Sequence, residues 1–216
     1  YDTHGRLHDG TRQQMIEDAY QGWRADHDAG RESLLIAADN ATVLELNTRV
    51  RTDNIATGRA SAAGVDLVDG NTAGVGDRVI TRDNNRALPD GKGGHIRNGD
   101  TWTITALGDD GSVIVTPAQA VSGQPCRPVR LPGGYVAEHV DLGYAITTQR
   151  VQSRTVDTTH VIATRGMSRE HLYVALTRGR ADNHAYTPLD TGAGVDIEEP
   201  HLQASRASSV QTGCDV

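Results

Sequence analysis

Apolar and polar positions follow two different periods along the chain. In residues 11–30, Met15, Ile16, Ala19, Tyr20 and Trp23 recur at helical spacing and Gly30 suits a C-terminal stop, so the pattern predicts a helix. Ser33-Leu34-Leu35-Ile36-Ala37-Ala38 is an unbroken apolar run of strand length, as in a parallel strand buried on both faces. Asp39 and Asn40 then offer caps for a second helix over residues 40–58, with Val43, Leu46, Asn47 and Val50 on its inner face and Gly58 at its end. A strand feeding a helix is the unit of an α/β sheet.

The pattern changes over residues 64–136. Segments 76–82, 101–107, 112–116 and 127–132 are short and β-prone, and Asp, Asn and Gly separate them. Asp109-Asp110-Gly111 marks a hairpin turn. This pattern predicts a small β-barrel without helices. Past residue 140 the α/β character returns: 143–148 and 159–164 read as strands, 168–180 as a helix capped by Ser168, and 183–187 as a last strand. From 188 onward Pro, Gly, Asp, Glu and Ser predict a mobile tail. The expected organisation is an α/β lobe in two parts, 1–63 and 138–187, interrupted by a β insertion over 64–137 and followed by a tail over 188–216.

Composition narrows the chemistry. Of 21 Lys plus Arg, only Lys92 is a lysine. It lies in Asp90-Gly91-Lys92-Gly93-Gly94, where a phosphate-binding P-loop would need Ser or Thr after the lysine. A self-sufficient P-loop enzyme is therefore excluded. A net charge of -7 argues against nucleic-acid binding by the chain as a whole. Residues 141–182 differ, with six arginines against four acids. No run of about 18 apolar residues offers a membrane span. The start at Tyr1 resembles no signal peptide and predicts a fragment of a longer, cytoplasmic protein, in which Cys126 and Cys214 could pair but read more simply as lone thiols.

Two segments carry candidate chemistry. Leu172-Tyr173-Val174-Ala175-Leu176-Thr177-Arg178-Gly179-Arg180 puts Arg178 near the end of the predicted helix. From there it either reaches a γ-phosphate as an arginine finger or completes the helix C-terminus, and the string alone favours the second. Gly143-Tyr144-Ala145-Ile146-Thr147-Thr148-Gln149-Arg150-Val151-Gln152-Ser153-Arg154-Thr155 is a buried strand opening into a polar turn, suited to phosphate and sugar contacts or to ordinary capping. His4 and His8 have i,i+4 spacing, but Gly5 intervenes and no acidic partner is fixed, so no metal site is expected. Trp102 reads as a core residue rather than a base-stacking platform.

In this order the two segments resemble motifs V and VI of superfamily 1 helicases. Leu35-Ile36-Ala37-Ala38-Asp39-Asn40, Leu46-Asn47, Gly76-Asp77-Arg78-Val79-Ile80-Thr81-Arg82, Arg97-Asn98-Gly99-Asp100 and Leu131-Pro132-Gly133-Gly134-Tyr135-Val136 narrow the likeness to the RecD-like, superfamily 1B helicase part of conjugative relaxases, over roughly residues 5–187. The resemblance implies a second RecA-like motor lobe without a P-loop, carrying an SH3-like barrel insertion. It implies an arginine-finger role for Arg178, and Gln152, Ser153, Thr155 and Arg178 near the nucleotide. Asn40, Thr147, Thr148 and Gln149 would lie along single-stranded DNA. ATP and Mg²⁺ would bind only together with a first lobe, and the further partners would be that lobe and a relaxase domain. The family motif reads Thr-x-His-x-x-Gln-Gly, whereas here Gln149 stands for His and Ser153 for Gly. Glutamine accepts and donates hydrogen bonds but carries no charge, so a degenerate, non-catalytic binding module is the alternative.

Overall fold

A computed structural model describes residues 5–118, 127–151, 155–164 and 166–189. It begins with strand β1 (Leu7–Gly10), helix α1 (Arg12–Asp28), strand β2 (Ser33–Ala37) and helix α2 (Asn40–Ala56). Thr11 and Gln14 form a reciprocal capping box on α1, and Asp39 caps α2 by accepting from the Thr42 N–H at 2.8 Å. The predicted inner faces are largely the buried ones: Met15, Ile16, Ala19, Tyr20 and Trp23 on α1, and Leu46, Asn47 and Val50 on α2, with Val43 half-buried against the same core. Gly30 and Gly58 follow the two helices at φ +76° and +71°, in the left-handed region open to glycine.

Short strands dominate the middle of the chain: β3 (Val65–Asp66), β4 (Thr72–Ala73), β5 (Arg78–Thr81), β6 (Asn85–Pro89), β7 (His95–Ile96), β8 (Thr101–Leu107), β9 (Val113–Pro117) and β10 (Val129–Leu131). Helix α3 (Gly133–His139) and strands β11 (Val140–Leu142) and β12 (Ala145–Thr147) follow. A 3-10 turn (Thr148–Val151), β13 (Val156–Ile162), α4 (Arg169–Leu176) and β14 (Gly179–Pro188) complete the described chain.

Two five-stranded sheets result. One is all parallel, in the order β1-β14-β13-β2-β12. The other is antiparallel, in the order β10-β9-β8-β5-β11. Alternation along β2 places Leu35 and Ala37 in the cluster with α1 and α2, and Leu34 and Ile36 in a second cluster that includes Ala175 of α4. Helices therefore cover both faces of the parallel sheet, as an all-parallel sheet requires. The fold is mixed α/β, as the pattern predicts.

Three details differ from the sequence reading. Helix α3 arises where short strands and no helix were expected; Tyr135 and Val136 bury its inner side. Strand β11 pairs with β5, so the antiparallel sheet reaches Leu142. Helix α4 stops at Leu176 rather than continuing to 180. The Asn183 side chain explains the stop: its Oδ1 accepts from the Gly179 N–H at 2.8 Å and its Nδ2 donates to the Gly179 carbonyl at 2.9 Å. A Cβ at Gly179 would stand 2.2 Å from the Asp182 carbonyl oxygen, so the turn into β14 needs glycine. The predicted tail, apart from Pro188 and Leu189, lies outside the described residues.

The two sheets are joined at buried polar groups. Asn47 of α2 donates to the Leu142 and Ala145 carbonyls, both at 3.2 Å, and accepts from the Ala145 N–H at 2.8 Å and the Tyr144 N–H at 3.2 Å. Asp77, fully buried, accepts from Arg51 Nε at 3.0 Å, the Gly74 N–H at 2.7 Å and the Tyr144 hydroxyl at 2.8 Å. Burial and the Asp77 charge push the Tyr144 phenol well above its ordinary range.

Candidate functional site

All five strands of the parallel sheet run the same way, so each candidate residue falls at one of its two edges. Asn40 follows β2 and is exposed on the first turn of α2. Thr147 ends β12, and Thr148 and Gln149 open the 3-10 turn behind it. These four share the C-terminal edge, where ligands bind in open α/β sheets. Thr147 and Thr148 are buried there, while Gln149 is exposed.

Thr155 and Arg178 stand at the opposite edge. Thr155 is exposed just before β13, and the Arg178 carbonyl accepts from the Val156 N–H at 3.0 Å. Arg178 occupies the turn between α4 and β14 rather than the helix itself. Its Nε donates to the Val174 carbonyl at 2.9 Å and its terminal nitrogen to the Thr177 hydroxyl at 3.2 Å. It completes the C-terminus of α4, where a cation also meets the negative end of the helix dipole. The structure thus brings Thr155 and Arg178 together and separates them from Asn40, Thr147, Thr148 and Gln149. Gln152 and Ser153 lie outside the described residues.

Sequence reasoning missed a charged groove at the C-terminal edge. A cavity of about 250 Å³ opens there, lined among others by Asn40, Val43 and Leu44 of α2 and by Arg82, Asp141 and Arg150. Arg82 follows β5, Asp141 sits on β11, and Arg150 belongs to the 3-10 turn, so the three meet only through the tertiary fold. Arg150 approaches Asp141 Oδ2 at 2.8 Å and Arg82 Nε approaches it at 3.4 Å. Burial nevertheless pushes the Asp141 carboxyl above its ordinary value, the arginines opposing and Asp69 adding to the rise. The sequence signals were the excess of arginine past residue 141 and the separate segments that contain Arg82 and Arg150, and neither shows that the two arginines meet.

A second buried cluster lies under α1. The His160 ring bridges Asp26 Oδ2, 3.0 Å from Nε2, and the Tyr186 hydroxyl, 2.9 Å from Nδ1. Burial pushes His160 down to about 4, so it is neutral at pH 7, with Nε2–H donating to Asp26 and Nδ1 accepting from Tyr186. His184 stacks on His160 at 5.2 Å and His8 on Tyr186 at 4.6 Å. Gly22 of α1 leaves the necessary room, since a Cβ there would stand 2.7 Å from both the imidazole and the phenol oxygen. The cluster is packed beneath a helix, and its chemistry is that of a satisfied core. His8 is spent in this stack, and His4 lies outside the described residues. Among the described residues no group of three or more His, Cys, Asp or Glu is placed to hold a metal. Trp102 is buried in β8 and offers no face to a base. No described helix is long and apolar enough to cross a membrane.

No protein-family model matches the chain. It is 36% identical over 81 residues to an uncharacterized protein of Mycobacterium tuberculosis, found in strains CDC 1551 and H37Rv, which is 38% of this chain and 44% of that protein. Among solved structures it is similar to Pif1 helicase from Bacteroides in complex with ADP-AlF3 and ssDNA, with a TM-score of 0.51 and 20% identity over 72% of this chain and 40% of that one. Bacteroides Pif1 bound to ssDNA aligns with a TM-score of 0.49 and 20% identity over 71% of this chain and 40% of that one. The chain spans less than half the length of these relatives. At this identity the likeness speaks to fold, and the fold is a mixed α/β one whose parallel sheet resembles the RecA-like lobe of Pif1 helicases.

Proposed function

We propose that the chain is the C-terminal motor-lobe region of an ATP-dependent superfamily 1B DNA helicase from a conjugative relaxase or mobilisation protein. The observation that carries this reading is the all-parallel β1-β14-β13-β2-β12 sheet and its likeness to a helicase solved with a nucleotide analogue and single-stranded DNA. In this reading residues 1–63 and 138–187 form the lobe and 64–137 its SH3-like barrel insertion. Asn40, Thr147, Thr148 and Gln149 belong to the single-strand track. Gln152, Ser153, Thr155 and Arg178 face the nucleotide, which a first lobe bearing the P-loop and the Mg²⁺ ligands would hold. Arg178 would leave the Val174 carbonyl when that lobe closes and set its guanidinium against charge developing on the transferred phosphoryl group. The chain alone hydrolyses no ATP.

The test mixes this chain with a separately produced first lobe. ATP hydrolysis should appear only in the mixture, and Arg178→Ala should lower its rate at least 10³-fold, the scale of an arginine finger. Hydrolysis that survives the substitution refutes the finger assignment. A second reading, a non-catalytic binding module, draws on the departures at Gln149 and Ser153 and on the engagement of Arg178 with its own helix. Placing His at 149 and Gly at 153 in the full-length parent separates the two, because a degenerate motor gains activity and a tolerant one does not change.

A further inference from the structure

Two arginines, one just after β5 of the antiparallel sheet and one on the turn behind β12 of the parallel sheet, converge on one buried carboxylate at the mouth of the groove. Arg150 holds Asp141 at 2.8 Å, the length of a charge-assisted hydrogen bond. Arg82 is held loosely, with Nε 3.4 Å from Oδ2 and a terminal nitrogen 3.5 Å from Oδ1. Each guanidinium has five N–H donors in a planar fork, and one shared carboxylate cannot satisfy both. Arg82 and Arg150 keep 39% and 27% of their side-chain surface exposed, so neither side chain is sealed from the solvent. The apolar side of the same groove is Val43 and Leu44, and Leu44 is exposed.

We propose that Arg82 and Arg150 form a clamp for a backbone phosphate of a single strand, with the neighbouring sugar or base against Val43 and Leu44. This deepens the helicase-lobe reading and rests on it, since Asn40 lines the same groove and Gln149 precedes Arg150 on the same turn. A phosphate oxygen matches the fork geometry that Asp141 fills in its absence, so strand and carboxylate compete for the same donors. Because one arginine follows a strand of each sheet, the clamp forms only when both sheets are in place.

The experiment titrates the full chain into a fluorescein-labelled oligothymidylate and follows anisotropy from about 50 to 200 mM salt. Arg82→Gln and Arg150→Gln should each weaken binding and each reduce the slope of log K against log salt by about 0.7, the share of one single-strand phosphate contact. Arg82→Lys, which keeps the charge but loses the fork, should fall between Arg82→Gln and the wild type. Asp141→Asn, which removes the competing charge, should tighten binding and steepen the slope. Arg180→Gln, at the opposite edge of the parallel sheet, is the control and should leave the slope unchanged. If the wild type binds but the Arg82 and Arg150 variants behave like the Arg180 control, the clamp is wrong while the strand-binding reading stands. If the wild type binds no oligonucleotide at low salt, the strand-binding reading fails first. Inorganic phosphate is the competitor; if it binds the clamp while the strand does not, the ligand is a free anion and the strand assignment is overturned. Thermal unfolding accompanies each variant, and the exposed Arg82 carries the test if Arg150→Gln fails to fold.

Discussion

Removing the Asn47 side chain should destabilise the protein far more than its size suggests. The amide has two donors and an acceptor oxygen with two lone pairs, and all four capacities are used on buried backbone groups of Leu142, Tyr144 and Ala145. Asn47→Ala leaves two N–H and two carbonyl groups without that partner. A buried polar group left unpaired costs about 1–3 kcal/mol, and local relaxation recovers part of the sum, so the expected loss is about 4 kcal/mol. For a chain of this size that lowers Tm by roughly 8–16 °C. Asn47→Leu, of similar volume, should lose nearly as much, because the deficit is in hydrogen bonds rather than packing. Asn47→Asp should be worse at neutral pH, since a carboxylate would face the Leu142 and Ala145 carbonyls. The measurement is urea unfolding followed by circular dichroism, with Thr48→Ala as the exposed comparison on the same helix, where one solvent-facing bond to Asn71 is lost. A cost below about 1 kcal/mol for Asn47→Ala would refute the claim that this amide holds the junction.

Three other outcomes are expected. His160 has a folded value of about 4 against about 6.5 when unfolded, so between these values the unfolded chain binds a proton that the native chain does not. Stability should therefore fall as pH drops through that window, and His160→Gln should lose about 2 kcal/mol less than the wild type between pH 7 and 5; equal losses in denaturant titrations would disprove it. Asp26, Tyr186, His184 and His8 surround the ring, and the variant keeps all four of them. Gly179→Ala should lower Tm, because its Cβ would meet backbone, whereas Gly166→Ala, with open space around it, should not; matching values would show that the turn tolerates a side chain. Asp77→Asn leaves Arg51 without its carboxylate in a buried setting and should cost about 3–5 kcal/mol by chemical unfolding, and a neutral result would mean that Arg51 finds water instead.

Local pattern sufficed wherever periodicity and burial coincide. The inner face of α1, the double-sided burial of β2 and the glycine stops after both long helices were all readable, because each rests on neighbours within one or two turns. The end of α4 was not, because the residue that stops it, Asn183, acts from within the following strand. Helix α3 was hidden for a related reason: it is only seven residues long, too short to show a periodic pattern, and the burial of Tyr135 and Val136 against the rest of the fold decides it. At the candidate site the motif-like residues were identified one by one, but their division between two edges of a sheet is a property of strand direction. The Arg82–Asp141–Arg150 groove was invisible for the same reason, since residues 82 and 141 become neighbours only when β11 pairs with β5.

The apolar cluster that contains Trp23 of α1 also contains Tyr144 and continues through Val79 to Trp102, and the Trp23 and Tyr144 rings meet edge to face at 6.3 Å. Interiors packed in this way have low compressibility. A load applied to the antiparallel sheet is therefore carried into the parallel sheet by side chains in contact, not by a slack connection. The two sheets should move as one lever, and the compliance that any mechanical cycle needs must lie at a boundary other than the one between them.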